Sequence, residues 1–233
     1  MLLCVMREKF ALSVNPSWLK KIEPFEYVSD GSPLGDESKR IVDEIVRTSR
    51  VKVVQAPIDN PQISGIYDAD HDRIIISNHP KGWARHPAII PHVLAHEDGH
   101  DRIEKGHPVL RHAQSLIGQL GNPNGSPFPS ALAVLGGAFA PSRMSRAASV
   151  LGGTLWNGVP LLAERKADDY ARARVLDVAH KKFHEPYGMM SDLISAENQS
   201  TYHKGMMRTG LLGLLGMGAR ELYDHRQQIL DTI

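Results

Sequence analysis

His96-Glu97-Asp98-Gly99-His100 sets two imidazoles four residues apart, with a carboxylate beside the first. On an α-helix, residues four apart share a face, so both rings can reach one metal ion. The glutamate then lies where it can take a proton from a metal-bound water, the chemistry of an H-E-x-x-H helix. Two histidines leave a zinc site incomplete, because catalytic zinc has three protein ligands and one open position. The third ligand has to come from elsewhere in the chain.

Downstream spacing restricts where it comes from. A metzincin continues to a glycine and a third histidine, but here Ile103 and Gly106 take those positions and His107 is one residue out of register. Gln119 and Leu120 stand roughly twenty residues on, where thermolysin-like enzymes place a glutamate ligand. From Lys105 to Ala163 there is no Asp or Glu, so the first carboxylate after the helix is Glu164, in Glu164-Arg165-Lys166-Ala167-Asp168. Glu164 and Asp168 share a helical face, so one can bind metal while the other supports a ligand histidine. Ala167 between them leaves room for a close helix–helix approach. The alternative is a solvated acidic face beside Arg165, Lys166, Arg172 and Arg174. His92, His107 and His112 are read as surface or helix-end residues, and Met189, Met190, Met206 and Met207 as packing residues.

The paired motifs resemble the gluzincin metallopeptidases of the CAAX prenyl protease and HtpX type, which carry H-E-x-x-H and, after a helical hairpin, E-x-x-A-D. The resemblance covers about residues 50–180. It implies one zinc ion held by His96, His100 and Glu164, Glu97 as general base and later proton donor, and Asp168 orienting a ligand histidine. The implied activity is zinc-dependent hydrolysis of peptide bonds within a protein or peptide substrate. Ser200-Thr201-Tyr202-His203 is similar to a Thr/Ser-His-Pro segment of such enzymes, which implies that His203 steadies the oxyanion; Lys204 replaces the proline. By the same resemblance, Arg73–Ser77 is expected to be an edge strand that holds an extended peptide. A second resemblance, to ImmA/IrrE-type regulatory peptidases, rests on a glycine-containing hairpin before H-E-x-G-H. The reading from another class is a zincin-fold binding or structural subunit without catalysis.

These residues need a helix, a hairpin and a second helix to position them. Pro91 in a first turn and Gly106-His107-Pro108 at an end predict the active helix from about Ile90 to Gly106. Ile63–Tyr67 and Arg73–Ser77 predict a hairpin around the polar turn 68–72. That turn's alternating aspartates do not make a calcium loop, since Arg73 stands where glycine is required and His79 where glutamate is. Val51–Val54 reads as a strand, Asp36–Arg50 as an amphipathic helix with an acidic first turn, and Asn122–Pro129 as a loop. Leu161–His184 is strongly helical, followed by a break at Glu185-Pro186-Tyr187-Gly188, a polar stretch and a final helix from about Met206 to Leu230.

The expected fold is α+β: a mostly helical zincin-like domain with a small β-sheet before the active helix. It forms a single domain over 1–233, with an N-terminal extension and helix (1–50), a catalytic core (51–180) and a C-terminal helical part (181–233). With 233 residues, 42% hydrophobic and 23% charged, the chain can bury a real core. A net charge of +1 gives no reason to expect nucleic acid. The single cysteine, Cys4, excludes an internal disulfide and fits a reducing compartment. Met1–Met6 is too short for a signal-peptide core. The apolar runs Ala131–Ala140 and Ala147–Ala163 are shorter than the roughly 20 residues of a spanning helix. They either pack as a buried hairpin or meet a membrane surface or partner protein through 131–163, with Arg143 and Arg146 at head-group level. Leu211–Met217 poses the same choice, with burial expected. The expected location is cytoplasmic, with peripheral membrane association as a variant.

Overall fold

The computed structural model describes residues 21–58, 63–69, 71–79, 86–107 and 128–232. Cys4, Asp70, His112, Gln119 and the loop over 122–127 lie outside these residues. The backbone divides into two compact units, Met1–His112 with Leu162–Gln199, and Ala113–Leu161 with Ser200–Ile233. The fold is α+β, mostly helical with one small sheet.

In the first unit, helix α1 (Pro33–Thr48) begins at Ser32, whose hydroxyl accepts the Gly35 N–H, with Pro33 in the first turn. That cap lies earlier than the Gly35–Ser38 start expected from the acidic residues. The cap satisfies an N–H that the helix itself cannot pair. Its apolar stripe Ile41, Val42 and Ile45 is fully buried.

Strands β1 (Glu23–Pro24), β2 (Lys52–Ala56), β3 (Gly65–Asp68) and β4 (Arg73–Ser77) form a sheet in the order β1-β2-β4-β3. β3 and β4 are the expected hairpin, paired from Gly65↔Ile76 to Asp68↔Arg73. Asp72 in its turn takes φ 49°, a left-handed conformation that Asp tolerates. β2 then pairs with β4 in parallel. Arg73–Ser77 is therefore an inner strand and not the expected edge. It is buried on both faces, Ile74 and Ile76 toward the helices and Ile75 toward Val54, Ala56 and Ile66. The outer strand on the hairpin side is β3.

Helix α2 (Ile90–Gly106) has the expected bounds, with Pro91 in its first turn and His107 as C-cap. Val93, Leu94 and Ala95 join the core with Ile41, Ile45, Ile74, Val175 and Tyr187.

The remaining α-helices among the described residues are α3 (Phe128–Phe139), α4 (Arg143–Val178) and α5 (His184–Thr232). α4 runs unbroken through Pro160. The expected break at Glu185–Gly188 is absent: the chain turns at Ala179–Phe183, and Pro186 falls in the first turn of α5, where a missing N–H costs little. The polar stretch before Met206 is likewise helical, so one helix replaces the expected break, polar stretch and final helix. Two of the unit borders, at Leu161–Leu162 and Gln199–Ser200, fall inside α4 and α5, with no linker composition to mark them.

In the second unit the helices meet through small residues. A Cβ on Gly213 would lie 2.8 Å from Val150 Cγ1, and one on Gly216 would lie 2.8 Å from the Val134 carbonyl oxygen. Arg143 pairs with Glu221 at 2.7 Å, and Arg146 with Asp224 at 3.2 Å. With small side chains turned inward, the large ones face out. Leu211, Leu214 and Leu215, expected to be buried, are exposed, as are Leu135, Leu155 and Leu222. Met189 and Met207 are exposed too, contrary to a packing role. Among the described residues, no helix is long and apolar enough to cross a membrane.

Candidate metal centre

Two helices build the site, and they pack tightly at Gly99. A Cβ there would stand 3.2 Å from both the Cα and the carbonyl oxygen of Ala167 and 3.1 Å from Tyr170 Cδ1. Glycine on α2 and alanine on α4 thus let the two backbones pack closely. That packing brings Glu164 and Asp168, 72 residues beyond His96 in the case of Asp168, against the histidines.

His96 lies between the two carboxylates. Its Nδ1 donates to Asp168 Oδ1 at 2.7 Å, so in the neutral ring Nε2 carries its lone pair on the opposite side. There, His100 Nε2 is 3.0 Å away and Glu164 Oε2 3.2 Å, and His100 Nε2 is 3.6 Å from Glu164 Oε1. Zinc bonds of about 2.0–2.1 Å in a tetrahedron place donor atoms about 3.3–3.4 Å apart. The three donors fit that spacing, and their N, N, O set suits zinc. All are buried, with His96 0%, His100 4% and Glu164 2% exposed.

Burial pulls the Asp168 carboxyl toward its neutral form, but the adjoining His96 and His92 outweigh it. They hold its pKa well below the usual carboxylate range. An ionised Asp168 keeps the proton on His96 Nδ1, the orienting role expected for it.

Glu97 is fully buried and lies along the start of β3. Its Cγ and Oε1 would be 3.0 Å and 3.3 Å from a Cβ on Gly65. Only glycine there leaves space for the Glu97 side chain beside the strand.

Asp98, the third residue of the motif, is a structural knot. Its carboxylate accepts from Ser49 Oγ at 2.9 Å, Tyr170 OH at 2.7 Å and Arg102 Nε at 2.9 Å, tying α2 to the end of α1 and to α4. Burial and the Asp98 charge push the Tyr170 phenol up to about 12. Asp101, also buried, accepts from Tyr67 OH at 3.1 Å and pairs with Lys105 at 2.6 Å, which anchors α2 to β3.

His96, His100, Glu164 and Asp168 therefore come together, with Glu97 next in sequence to His96 and packed against β3, and Glu164 and Asp168 do not form a solvated acidic face. His203 belongs to the second unit and is exposed on α5, so its assigned role rests on the resemblance alone. His107 is a helix-end residue as expected.

His92 is not a surface residue. It is 1% exposed, with Nδ1 3.0 Å from Ser191 Oγ and Nε2 3.7 Å from Asp168 Oδ1. Asn198, also buried, donates to the same Asp168 oxygen at 3.2 Å. The four-residue spacing that pairs His96 with His100 also pairs His92 with His96, and that signal was available in the sequence. Ser191 and Asn198 carry no such mark.

No family model, curated protein or solved structure matches this chain.

Proposed function

We propose that the protein is a zinc-dependent endopeptidase with a centre of the gluzincin kind, as the resemblance to CAAX prenyl protease and HtpX-type enzymes implies. The observation that carries this reading is the donor triangle of His96 Nε2, His100 Nε2 and the Glu164 carboxylate, spaced 3.0–3.6 Å and backed by Asp168. Zinc, when bound, supplies a Lewis acid and a bound water of near-neutral pKa. His96, His100 and Glu164 would hold it. Asp168 holds the His96 tautomer whose Nε2 carries the lone pair that would ligate. Glu97 accepts a proton from the attacking water and returns it to the leaving amine. The outer strand β3, beside Glu97, offers backbone groups to an extended peptide, the role first expected of Arg73–Ser77. His203 retains its oxyanion role as part of this proposal.

Glu97→Gln tests the reading. Hydrolysis of an unfolded protein substrate should fall by at least about a hundredfold, in the range of acid–base contributions, while zinc content stays at one ion per chain. Equal activity in the variant rejects Glu97 as the base.

One observation favours a second reading, a metal-stabilised binding or structural subunit: Glu97 and His96 are both 0% exposed. Wild-type protein that binds zinc fully and cleaves no unfolded substrate would select it. The outward leucines of the second unit support contact with a membrane surface or partner protein through 131–163. We also place the protein in the cytoplasm, where Cys4 would stay reduced.

A further inference from the structure

His92, His96 and His100 rise in four-residue steps on one face of α2, yet only the last two face Glu164. The His92 ring lies 6.2 Å from that of His96, on the Asp168 side. Three nitrogens converge on one oxygen, Asp168 Oδ1: His96 Nδ1 at 2.7 Å, Asn198 Nδ2 at 3.2 Å and His92 Nε2 at 3.7 Å. His92 is held from behind by Ser191 Oγ at 3.0 Å. Ser191 and Asn198 are seven residues apart, two turns along one face of α5. Ser191, Asn198 and His92 are 1%, 4% and 1% exposed, so no solvent competes for their bonds.

We infer that His92 and Asn198 are positioning residues: they fix the Asp168 carboxylate against α5, and through it the ring plane of His96 and the affinity of the metal centre. The inference rests on the zinc-site reading above. An aspartate bonded only to His96 is free to rotate about its terminal torsion, and the imidazole would follow it. A donor from a second helix, Asn198, and the buried His92 ring packed beside the carboxylate from the preceding turn of α2 remove that freedom. His92 Nε2, at 3.7 Å, lies beyond hydrogen-bond length and confines the carboxylate by contact, whereas the Asn198 amide makes the hydrogen bond that ties Asp168, and through it His96, to α5. Partners of this kind typically change metal affinity by about 10–100-fold. His92, His96 and Asp168 also have ligand atoms within 4.8 Å of one another, a spacing open to a second ion. The 2.7 Å contact between His96 Nδ1 and Asp168 is that of a hydrogen bond, shorter than the roughly 3.3 Å between donors sharing a zinc ion.

The test measures zinc affinity by competition with a chromophoric chelator, and the visible spectrum of the cobalt(II)-loaded protein. It compares wild type, His92→Phe, His92→Gln and Asn198→Leu, with the thermal midpoint of each apo-protein as a fold control. Wild type should bind one zinc. His92→Phe and Asn198→Leu should bind it about 10–100-fold more weakly with a shifted cobalt spectrum. His92→Gln, which keeps a polar side chain of similar reach beside the carboxylate, should recover to within about threefold of wild type. If His92→Phe does not fold, Asn198→Leu and His92→Gln still decide the matter. Wild-type affinity and an unchanged cobalt spectrum in Asn198→Leu overturn the inference. So does a second zinc equivalent that His92→Phe removes. Failure of wild type to bind zinc overturns the underlying site reading, a result read from wild type alone.

Discussion

Gly99→Ala perturbs the contact that assembles the site. The added Cβ would meet the Ala167 Cα and carbonyl oxygen at 3.2 Å. Ordinary carbon contacts lie at about 3.5–4.0 Å, so the two helices would have to separate by roughly half an ångström. Two opposing effects set the sign. Alanine is favoured over glycine in a helix interior by about 1 kcal/mol, whereas overpacking a tight interface costs about 1–3 kcal/mol. Because the obstacle is backbone, the packing cost should win, for a net loss of about 1 kcal/mol. Gly106→Ala is the matched control: it lies on the same helix with nothing within 4 Å of its Cβ, and should be neutral or stabilising. The spread also moves Glu164 away from His96 and His100. Metal sites tolerate about 0.2 Å, so zinc affinity should fall by about tenfold or more in Gly99→Ala and stay unchanged in Gly106→Ala. Urea unfolding of the apo-proteins and chelator competition measure the two effects. If Gly99→Ala is as stable as Gly106→Ala and binds zinc like wild type, the close crossing does not position the site.

Other outcomes follow from the surrounding bonds. Asp98→Leu removes the acceptor shared by Ser49, Tyr170 and Arg102 and should lower stability by about 3 kcal/mol, read by urea unfolding. The Tyr170 phenol, now at about 12, should titrate lower by ultraviolet difference spectra. Glu37 links α1 to the turn before α5. Burial raises its pKa, but bonds from Arg40, the His180 N–H and the His180 ring prevail and bring it from 4.5 to about 2. That depression stabilises the fold above pH 4.5, and the stability is lost as pH falls through about 2. With Arg40 41% exposed, Glu37→Gln should cost about 2 kcal/mol at pH 7. The gap from wild type should close toward pH 2; a gap constant with pH would contradict the ion-pair account.

The parts legible in the sequence were those set by local chemistry. Pro91 and Gly106 bound α2, Asp72 sits where a turn needs it, and the three consecutive isoleucines of Arg73–Ser77 make a strand. Four-residue spacing likewise foretold that His96 and His100, and then Glu164 and Asp168, share faces. Non-local pairing was not legible. The parallel pairing of Lys52 with Arg73 makes β4 an inner strand, and no local pattern encodes that. Pro186 was misread as a break because proline at a first turn and proline at a stop look alike in sequence. The leucines of 211–215 were misplaced because hydrophobicity does not say whether a helix packs by its large side chains or its glycines. The tie made by Asp98 was not legible, because its partners, Ser49 and Tyr170, lie 49 and 72 residues away.

The central claim is that Glu164 completes a metal centre with His96 and His100. Its most direct test is zinc stoichiometry and affinity in wild type beside Glu164→Ala. One tightly held zinc per chain in wild type, and loss of most of it in the variant with the apo-fold intact, is the predicted result. Full zinc retention in Glu164→Ala, or none in wild type, would contradict it.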